Sequence, residues 1–436
     1  NIYKIEDLRS RLGITFLLIL IYRLGSFVVL PGLDPAQLGA LKSQTKDGLL
    51  GLLDMFSGGA FSNASVFALG IMPYISASIV IQLLTIAVPY FQRMQKEGES
   101  GRKRMNQITR YLTVVILIFQ GPAFLTNLHM TLAQTPEAFV LSGRFFDISS
   151  TIIMLAGSMF VLWLGEKITD RGIGNGVSLI IMIGIIARFP GAIIQEFISR
   201  LEEQSGGGLV LLLLEFVILF VVFMLVILLV QGTRRIPVQY AKRIVGNKQY
   251  GGVRQYIPLK VNAAGVMPII FAQAIMFIPI TLASLGGESM SGFATAFAYG
   301  GFWYNFIMFL MVIAFTYFYT AITVNPVQMA EDMKKNGGFI PGVKPGKKTA
   351  EYLDIIMSRI TLPGSIFLGI VTILPAFAMQ VGVNASFAQF FGGTSLLILV
   401  GVVLDTLQQI ESHLLMRHYD GLMKSGRIKG RSGGGL

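Results

Sequence analysis

Residues 209–231 read LVLLLLEFVILFVVFMLVILLVQ, an unbroken apolar run with a single charge, Glu215. A helix of about 20 such residues crosses about 30 Å of hydrocarbon. Helix is the form open to it, because lipid offers no partner to an unpaired backbone amide or carbonyl. Further apolar stretches lie to either side, at 12–30, 67–89, 109–128, 148–165, 176–195, 264–285, 303–324, 362–381 and 391–414. The fold class that follows is an all-α integral membrane protein of about ten transmembrane helices.

Composition agrees with that class. Of 436 residues, 53% are hydrophobic and 13% charged, too few charges to cover a soluble protein of this size. There is no cysteine, which excludes disulfides, thiolate metal ligands and a cysteine nucleophile. The basic start, residues 4–11, leads into an apolar run with no small-residue cleavage pattern, so the first span is expected to be retained.

The charges orient the spans. Of the 35 Lys and Arg residues, 29 fall before the first span, in 91–110, 166–175, 232–262 and 325–361, and after 415. The alternating segments 31–50, 129–147, 188–208, 286–302 and 382–390 hold only 5, and Arg23 lies inside the first span. The positive-inside rule then puts both termini and the basic loops in the cytoplasm. Orientation and attraction to anionic lipid account for most of the net charge of +12. Loops 232–262 and 325–361 exceed that need. They are long, basic and rich in Gly and Pro, which suits a docking surface.

Ten spans divide into an N-terminal half, 1–200, and a C-terminal half, 201–436. Five is odd, so a repeated half would be inverted and would place a working site between the halves. Segment 49–66, LLGLLDMFSGGAFSNASV, is apolar, too short to span and broken by Gly58 and Gly59. It enters the second span from the outside, which fits an element buried in a cavity better than one lying at the interface.

No catalytic or metal constellation stands out. His129, His413 and His418 lack ligand spacing, and no Ser-His-Asp or paired-carboxylate arrangement occurs. GVKPGKKT at 342–349 has the wrong glycine spacing for a phosphate loop. RGIGNG at 171–176 reads as a tight turn between helices. Arg23, Glu215 and Asp405 are the clear ionisable residues inside spans, and neither carboxylate has an evident partner. No cofactor and no direct nucleotide binding are expected, so any energy must come from partners.

The string FSGGAFSNASVFALGIMPYISASIVIQ at 56–82 resembles the SecY family of bacterial protein-translocation channels. The resemblance continues through KEGESGR at 96–102, WLGEKITDRGIGNG at 163–176, RRIPVQYAKR at 234–243, PLKVNAAGVMP at 258–268, NP at 325–326, PGVKPG at 341–346 and FGGTSLLI at 391–398. These stand in the family's order along nearly the whole chain. The resemblance implies two inverted five-helix halves around a central hourglass pore in the inner membrane. The pore passes unfolded secretory polypeptides, recognises signal peptides, and releases hydrophobic segments sideways into the lipid bilayer.

Matched motif by motif, the resemblance assigns a pore ring to Ile71, Ile75, Val177, Ile181, Ile270 and Ile398. Branched aliphatic side chains form no bonds to water, so a narrow ring of them dewets and blocks ions. It assigns a plug to about 49–63, with Leu52, Met55, Phe56, Ser57, Gly58 and Gly59, the glycines serving as a hinge. It assigns a lateral gate to Ser76, Gln82, Gln120 and Asn262. Docking of the SecA motor ATPase and of the ribosome would fall on Arg234, Arg235, Lys242, Arg243, Lys248, Lys334, Lys335, Lys344 and Lys347. SecE and SecG are the implied membrane partners. Three positions depart from the family. Val177 stands where isoleucine is frequent, Lys248 stands alone where neighbouring basic residues are common, and Lys344 replaces an arginine. Lysine keeps the charge there but loses the planar bidentate fork. The competing reading is a secondary transporter of a small solute, which needs a polar midplane site between broken helices. A membrane-embedded enzyme would need a catalytic group inside the spans.

Overall fold

The computed structural model describes residues 6–39, 41, 51, 54–133, 136–141, 143–201, 208–240, 243–245, 248–250, 254–273, 275–276 and 301–425. Leu52, Lys242 and the end of the seventh expected span lie outside the described residues.

Helix α1 (Glu6–Gly25) begins with Glu6 and Asp7 and ends near Arg23, each sign suited to its end of the helix dipole. It stops short of residue 30, because the strand-like residues 28–30 pair with 64–66. Val66 donates to the Val28 carbonyl at 2.9 Å, and Leu30 donates to Ala64 at 2.9 Å. Helix α2 (Met72–Ala87) starts five residues later than the apolar run does. Gly70 has a φ of +53°, and Pro73 sits in the first turn, where its missing N–H costs nothing. The chain bends at Val88 into the amphipathic α3 (Pro89–Lys96).

Helices α4 (Glu99–Thr131), α5 (Arg144–Arg171), α6 (Gly176–Leu201) and α7 (Gly208–Gln231) follow. Residues 267–273 are helical at the seventh expected span. Next come α8 (Phe302–Thr323), the short α9 (Pro326–Lys335), α10 (Lys347–Gln380) and α11 (Gly393–Ser425). Among the described residues, 7 helices are long and apolar enough to cross a membrane. Helices α4, α10 and α11 run to 33, 34 and 33 residues. At 1.5 Å per residue that is about 50 Å, so each continues well past the hydrocarbon.

Burial follows the two halves. One apolar cluster joins Leu30, Phe61, Phe124, Leu128, Phe146 and Met154, all from the first half. A second joins Val226, Ile269, Met308, Val312, Leu368 and Leu397, all from the second. A third lies between them and draws on both, from Tyr22 and Ile71 to Phe390 and Ile398.

The two basic loops hold secondary structure of their own. Strand β1 (Thr233–Tyr240) pairs antiparallel with β4 (Arg254–Lys260), from Thr233 opposite Lys260 to Gln239 opposite Arg254. Strands β2 (Arg243–Val245) and β3 (Lys248–Tyr250) form a separate ribbon between them. Strand β5 (Gly338–Phe339), from the other basic loop, adds to β1 at Gln239. The alternation in TRRIPVQY is the cause: Ile236 and Val238 point inward while Arg235 and Pro237 face solvent. Ile236 and Val238 pack with Leu259, Met333, Ile340, Leu353 and Met357, so both loops share one small core.

Candidate functional site

Two cavities lie at different levels along α6. The larger, about 800 Å³, is on the side of the basic loops and is lined by Ser78, Gln82, Asn106, Arg110, Asn175 and Asp405, among others. The smaller, about 430 Å³, is lined by Arg23, Asp54, Gly58, Gly59, Arg188 and Gln389, among others. Helix α6 relates them: its residues 177–181 face the first cavity and 187–195 the second. Six residues of helix, about 9 Å, therefore separate the two spaces.

The ring positions lie at that separation. Ile75, Val177, Ile181, Ile270 and Ile398 line the floor of the larger cavity. Ile71 is buried one helical turn before Ile75. Ile71, Ile181 and Ile398 belong to the apolar cluster between the halves, and Ile75 and Val177 pack against it. Met55 and Phe56 of the plug join the same cluster from the other side. Apolar side chains thus meet at this level from both cavities, and the six ring positions themselves carry no group that bonds water.

The segment assigned as a plug is built on tight turns. Gly58 and Gly59 have φ of +65° and +91°, the left-handed region that favours glycine. A Cβ on Gly58 would lie 2.8 Å from Arg23 Nη1 and 2.9 Å from Gly184 Cα. Gly184 itself allows α6 to touch the plug backbone, since a Cβ there would sit 2.9 Å from the Phe56 carbonyl oxygen. Tyr22 Oη donates to the Ser57 carbonyl at 3.0 Å, and Ser57 Oγ donates to the Asp54 carbonyl at 3.1 Å.

The turn RGIGNG has its amides occupied. Ile173 N donates to Thr15 Oγ1 at 3.1 Å, Gly174 N to Gln409 Oε1 at 2.9 Å and Gly176 N to Thr169 Oγ1 at 2.8 Å. It ties α5 to α1 and α11 instead of offering an anion seat.

The four gate residues separate in the structure. Gln82 and Asn262 line the larger cavity, and Tyr319 Oη of α8 donates to Gln82 Oε1 at 3.3 Å. Asn262 is buried, its Oδ1 without a hydrogen-bond partner. Ser76 and Gln120 are half-buried away from that wall. Sequence reasoning missed Tyr319, whose hydroxyl stands out only once α2 and α8 are adjacent. Phe271 stacks on Phe315, with centroids 5.7 Å apart, along the same seam.

Of the basic positions, Arg234 and Arg235 are exposed on β1, and Lys334 and Lys335 on the last turn of α9. Lys344 is exposed in the turn before Lys347 opens α10, its carbonyl accepting from Thr349 Oγ1 at 2.9 Å. Arg243 and Lys248 lie in the β2–β3 ribbon.

Glu215 is not partnerless. It meets Arg200 of α6, and Arg200 also meets Glu196 at 2.9 Å and donates to the Gly382 carbonyl at 3.1 Å. Asn384 N donates to Glu196 Oε2 at 2.8 Å. The sequence could not pair Arg200 with a carboxylate across the turn to the next helix.

Fold and site together define a polytopic membrane protein with an apolar constriction between two cavities. The SecY family model matches residues 65–407, and the SecY subunit of the protein translocase of Thermotoga maritima is 42% identical over 440 residues, covering 99% of this chain and 98% of that one. The chain belongs to the SecY family, and so is a protein-conducting channel subunit of the Sec translocon and not an enzyme. Solved structures share the fold. One, on the plug domain of a SecY protein that stabilises the closed state of its translocation channel, aligns with a TM-score of 0.60 at 18% identity, over 97% of this chain and 95% of that one. Sec61 in a canine ribosome–channel complex aligns at 0.56 and 16%, over the same shares of each chain.

Proposed function

We propose that this chain forms the pore through which unfolded secretory polypeptides cross the bacterial cytoplasmic membrane, with both termini and the basic loops in the cytoplasm. The ring is Ile71, Ile75, Val177, Ile181, Ile270 and Ile398, and the plug is about 49–63. The observation that carries this reading is the apolar waist between two cavities, with the plug's Met55 and Phe56 packed onto it. Branched aliphatic groups exclude water from a narrow passage when idle. They also part around a sliding chain without gripping it, because they make no directional bond.

The halves are 1–200 and 201–436, each supported by an apolar core of its own. Hydrophobic segments leave sideways, between α2 and α4 on one side and the helix at 267 and α8 on the other. The Gln82–Tyr319 bond closes that seam. Bonds between membrane helices are worth about 0.6–2 kcal/mol, while each Leu or Ile entering lipid gains about 0.3–0.6 kcal/mol. Some ten such residues outweigh the bond, so the seam sorts segments by hydrophobicity. SecE and SecG are the membrane partners of this reading. SecA and the ribosome supply the energy and dock on the basic body formed by the β1–β4–β5 sheet, α9 and the start of α10. A small-solute transporter would instead need polar groups where Ile and Val stand.

The test is site-specific crosslinking of a stalled secretory chain. Probes at Ile75, Ile181, Ile270 and Ile398 are each expected to capture the same chain. A probe at Val210, 82% exposed on α7, is expected to capture none. Capture at Val210 with none at the waist overturns the reading.

A further inference from the structure

The plug carries a single acidic residue, Asp54, and its side chain is 2% exposed. A carboxylate buried that deeply needs a partner to stay ionised. It has two kinds. Arg188 of α6 forms an ion pair with it, and the Ser62 amide donates to Oδ1 at 2.7 Å. Arg188 Nη2 also donates to Ser62 Oγ at 3.0 Å, so one guanidinium holds both ends of the turn.

A second arginine approaches from α1. Arg23 Nη1 of α1 donates to the Gly58 carbonyl at 2.7 Å. The two glycines face the two arginines: a Cβ on Gly58 would meet Arg23, and a Cβ on Gly59 would lie 3.5 Å from Arg188 Nε. Arg23 and Arg188 therefore grip the plug from helices that both belong to the first half. Among the described residues of this cavity wall, Asp54 is the only acidic group opposite those two cations.

We infer that Arg188 forms a carboxylate site for the plug, with Arg23 holding the Gly58 carbonyl beside it, and that the plug closes the channel by placing its own Asp54 against Arg188. The inference rests on the pore reading above and adds the chemistry that holds the plug. In the closed channel the site is filled in cis. Withdrawal of the plug leaves two arginines in a confined funnel with no counter-charge on its wall, and that repulsion favours return of Asp54. Met55 and Phe56 supply apolar adhesion without direction, while the carboxylate fixes where the plug sits. Arg188 and Arg23 are thus positioning residues for closure.

The test measures resting ion conductance of the intact translocon reconstituted in planar bilayers. The variants are Asp54→Asn, Arg188→Gln, Arg188→Lys and a deletion of 54–59. Loss of one member of a charge pair of this kind is expected to raise resting conductance about tenfold or more in Asp54→Asn and Arg188→Gln. Arg188→Lys keeps the charge but loses the fork that also reaches Ser62, so it is expected to leak less than Arg188→Gln and more than the parent. The deletion is expected to conduct in every case. If it conducts while both neutralised variants stay within twofold of the parent, the latch is overturned and the pore reading stands. Arg188→Lys as leaky as Arg188→Gln also overturns it, since charge would then not be what matters. A silent deletion, together with no crosslinking at the waist, sinks the pore reading and the latch with it.

Discussion

Replacement of Arg200 by methionine tests the buried charges at the end of α6. The Arg200 side chain is fully buried, Glu196 likewise, and the Glu215 side chain is 6% exposed. Solvent therefore screens little of their interaction. The triad sums to one net negative charge, and removal of the cation leaves two carboxylates facing each other in an apolar site. Breaking such a pair from one side costs about 3–5 kcal/mol. The Gly382 carbonyl loses its donor as well, a further 1–3 kcal/mol where no water replaces it. Arg200→Met is thus expected to lose at least about 3 kcal/mol of stability, a factor of more than a hundred in the folded-to-unfolded ratio. Arg200→Lys should lose less, because the charge remains while the fork to Glu196, Glu215 and Gly382 does not. The assay is reversible unfolding in mixed micelles, followed by tryptophan fluorescence. The triple variant Arg200→Met, Glu196→Gln, Glu215→Gln is the decisive control. It removes every charge and is expected to recover most of the loss. A loss under about 1 kcal/mol in the single variant, or a triple variant no better than the single, refutes the electrostatic account.

Gly58→Ala adds a Cβ at a φ of +65° and within 2.8 Å of Arg23 Nη1, so it is expected to cost about 1–2 kcal/mol locally and to raise resting conductance in bilayers. Tyr319→Phe removes the 3.3 Å bond to Gln82 and is expected to shift the hydrophobicity threshold for lateral insertion by one to two Leu equivalents in a graded reporter series, about 0.6 kcal/mol. An unchanged threshold counts against the seam. Ile181→Asn places an amide in the buried waist and is expected to leak ions at rest while export of a secretory reporter persists. Joint replacement of the exposed Arg234, Arg235 and Lys344 by Gln should weaken binding of a motor or ribosome and flatten its salt dependence, read by a binding titration at two ionic strengths.

The spans were legible because hydrocarbon thickness imposes a length, and composition alone meets or fails it. Their ends were not. Helices α4, α10 and α11 continue into water, where an apolar window sees nothing. The start of α2 is set by Gly70 and Pro73, local chemistry that hydropathy averages away. The β1–β4 hairpin was readable in principle from the alternation in TRRIPVQY and RQYIPLK, but the Gly-rich stretch between them drew attention to loop character instead. At the site, the ring assignment rests on motifs, since any single Ile in such a chain is unremarkable. The charged grip on the plug did not follow. Arg188 falls inside an apolar span yet was counted with the external segment, and Asp54 lies in an apolar string that offers no partner within helical reach. Both became meaningful only when α6 was placed beside the plug.

The distribution of charge along the pore axis carries the mechanism further than any one contact. Arg110, Glu166, Asp170 and Asp405 face the larger cavity, Arg23, Asp54 and Arg188 the smaller, and between them stand Ile and Val. A charge in a wide, wet funnel keeps most of its hydration, whereas one at the waist would carry a desolvation cost of several kcal/mol or drag water in with it. Either outcome defeats a seal. Polar groups in the funnels and aliphatic groups at the waist reconcile two demands that conflict at any single point: a hydrated path for an unfolded chain, and a dry barrier when the chain is gone. The same logic accounts for the two faces of the segment proposed as the plug. Met55 and Phe56 meet the waist, while Asp54 and the Gly58 carbonyl turn toward the arginines of the funnel. A wholly apolar plug would adhere without register, and a wholly charged one could not sit against the ring.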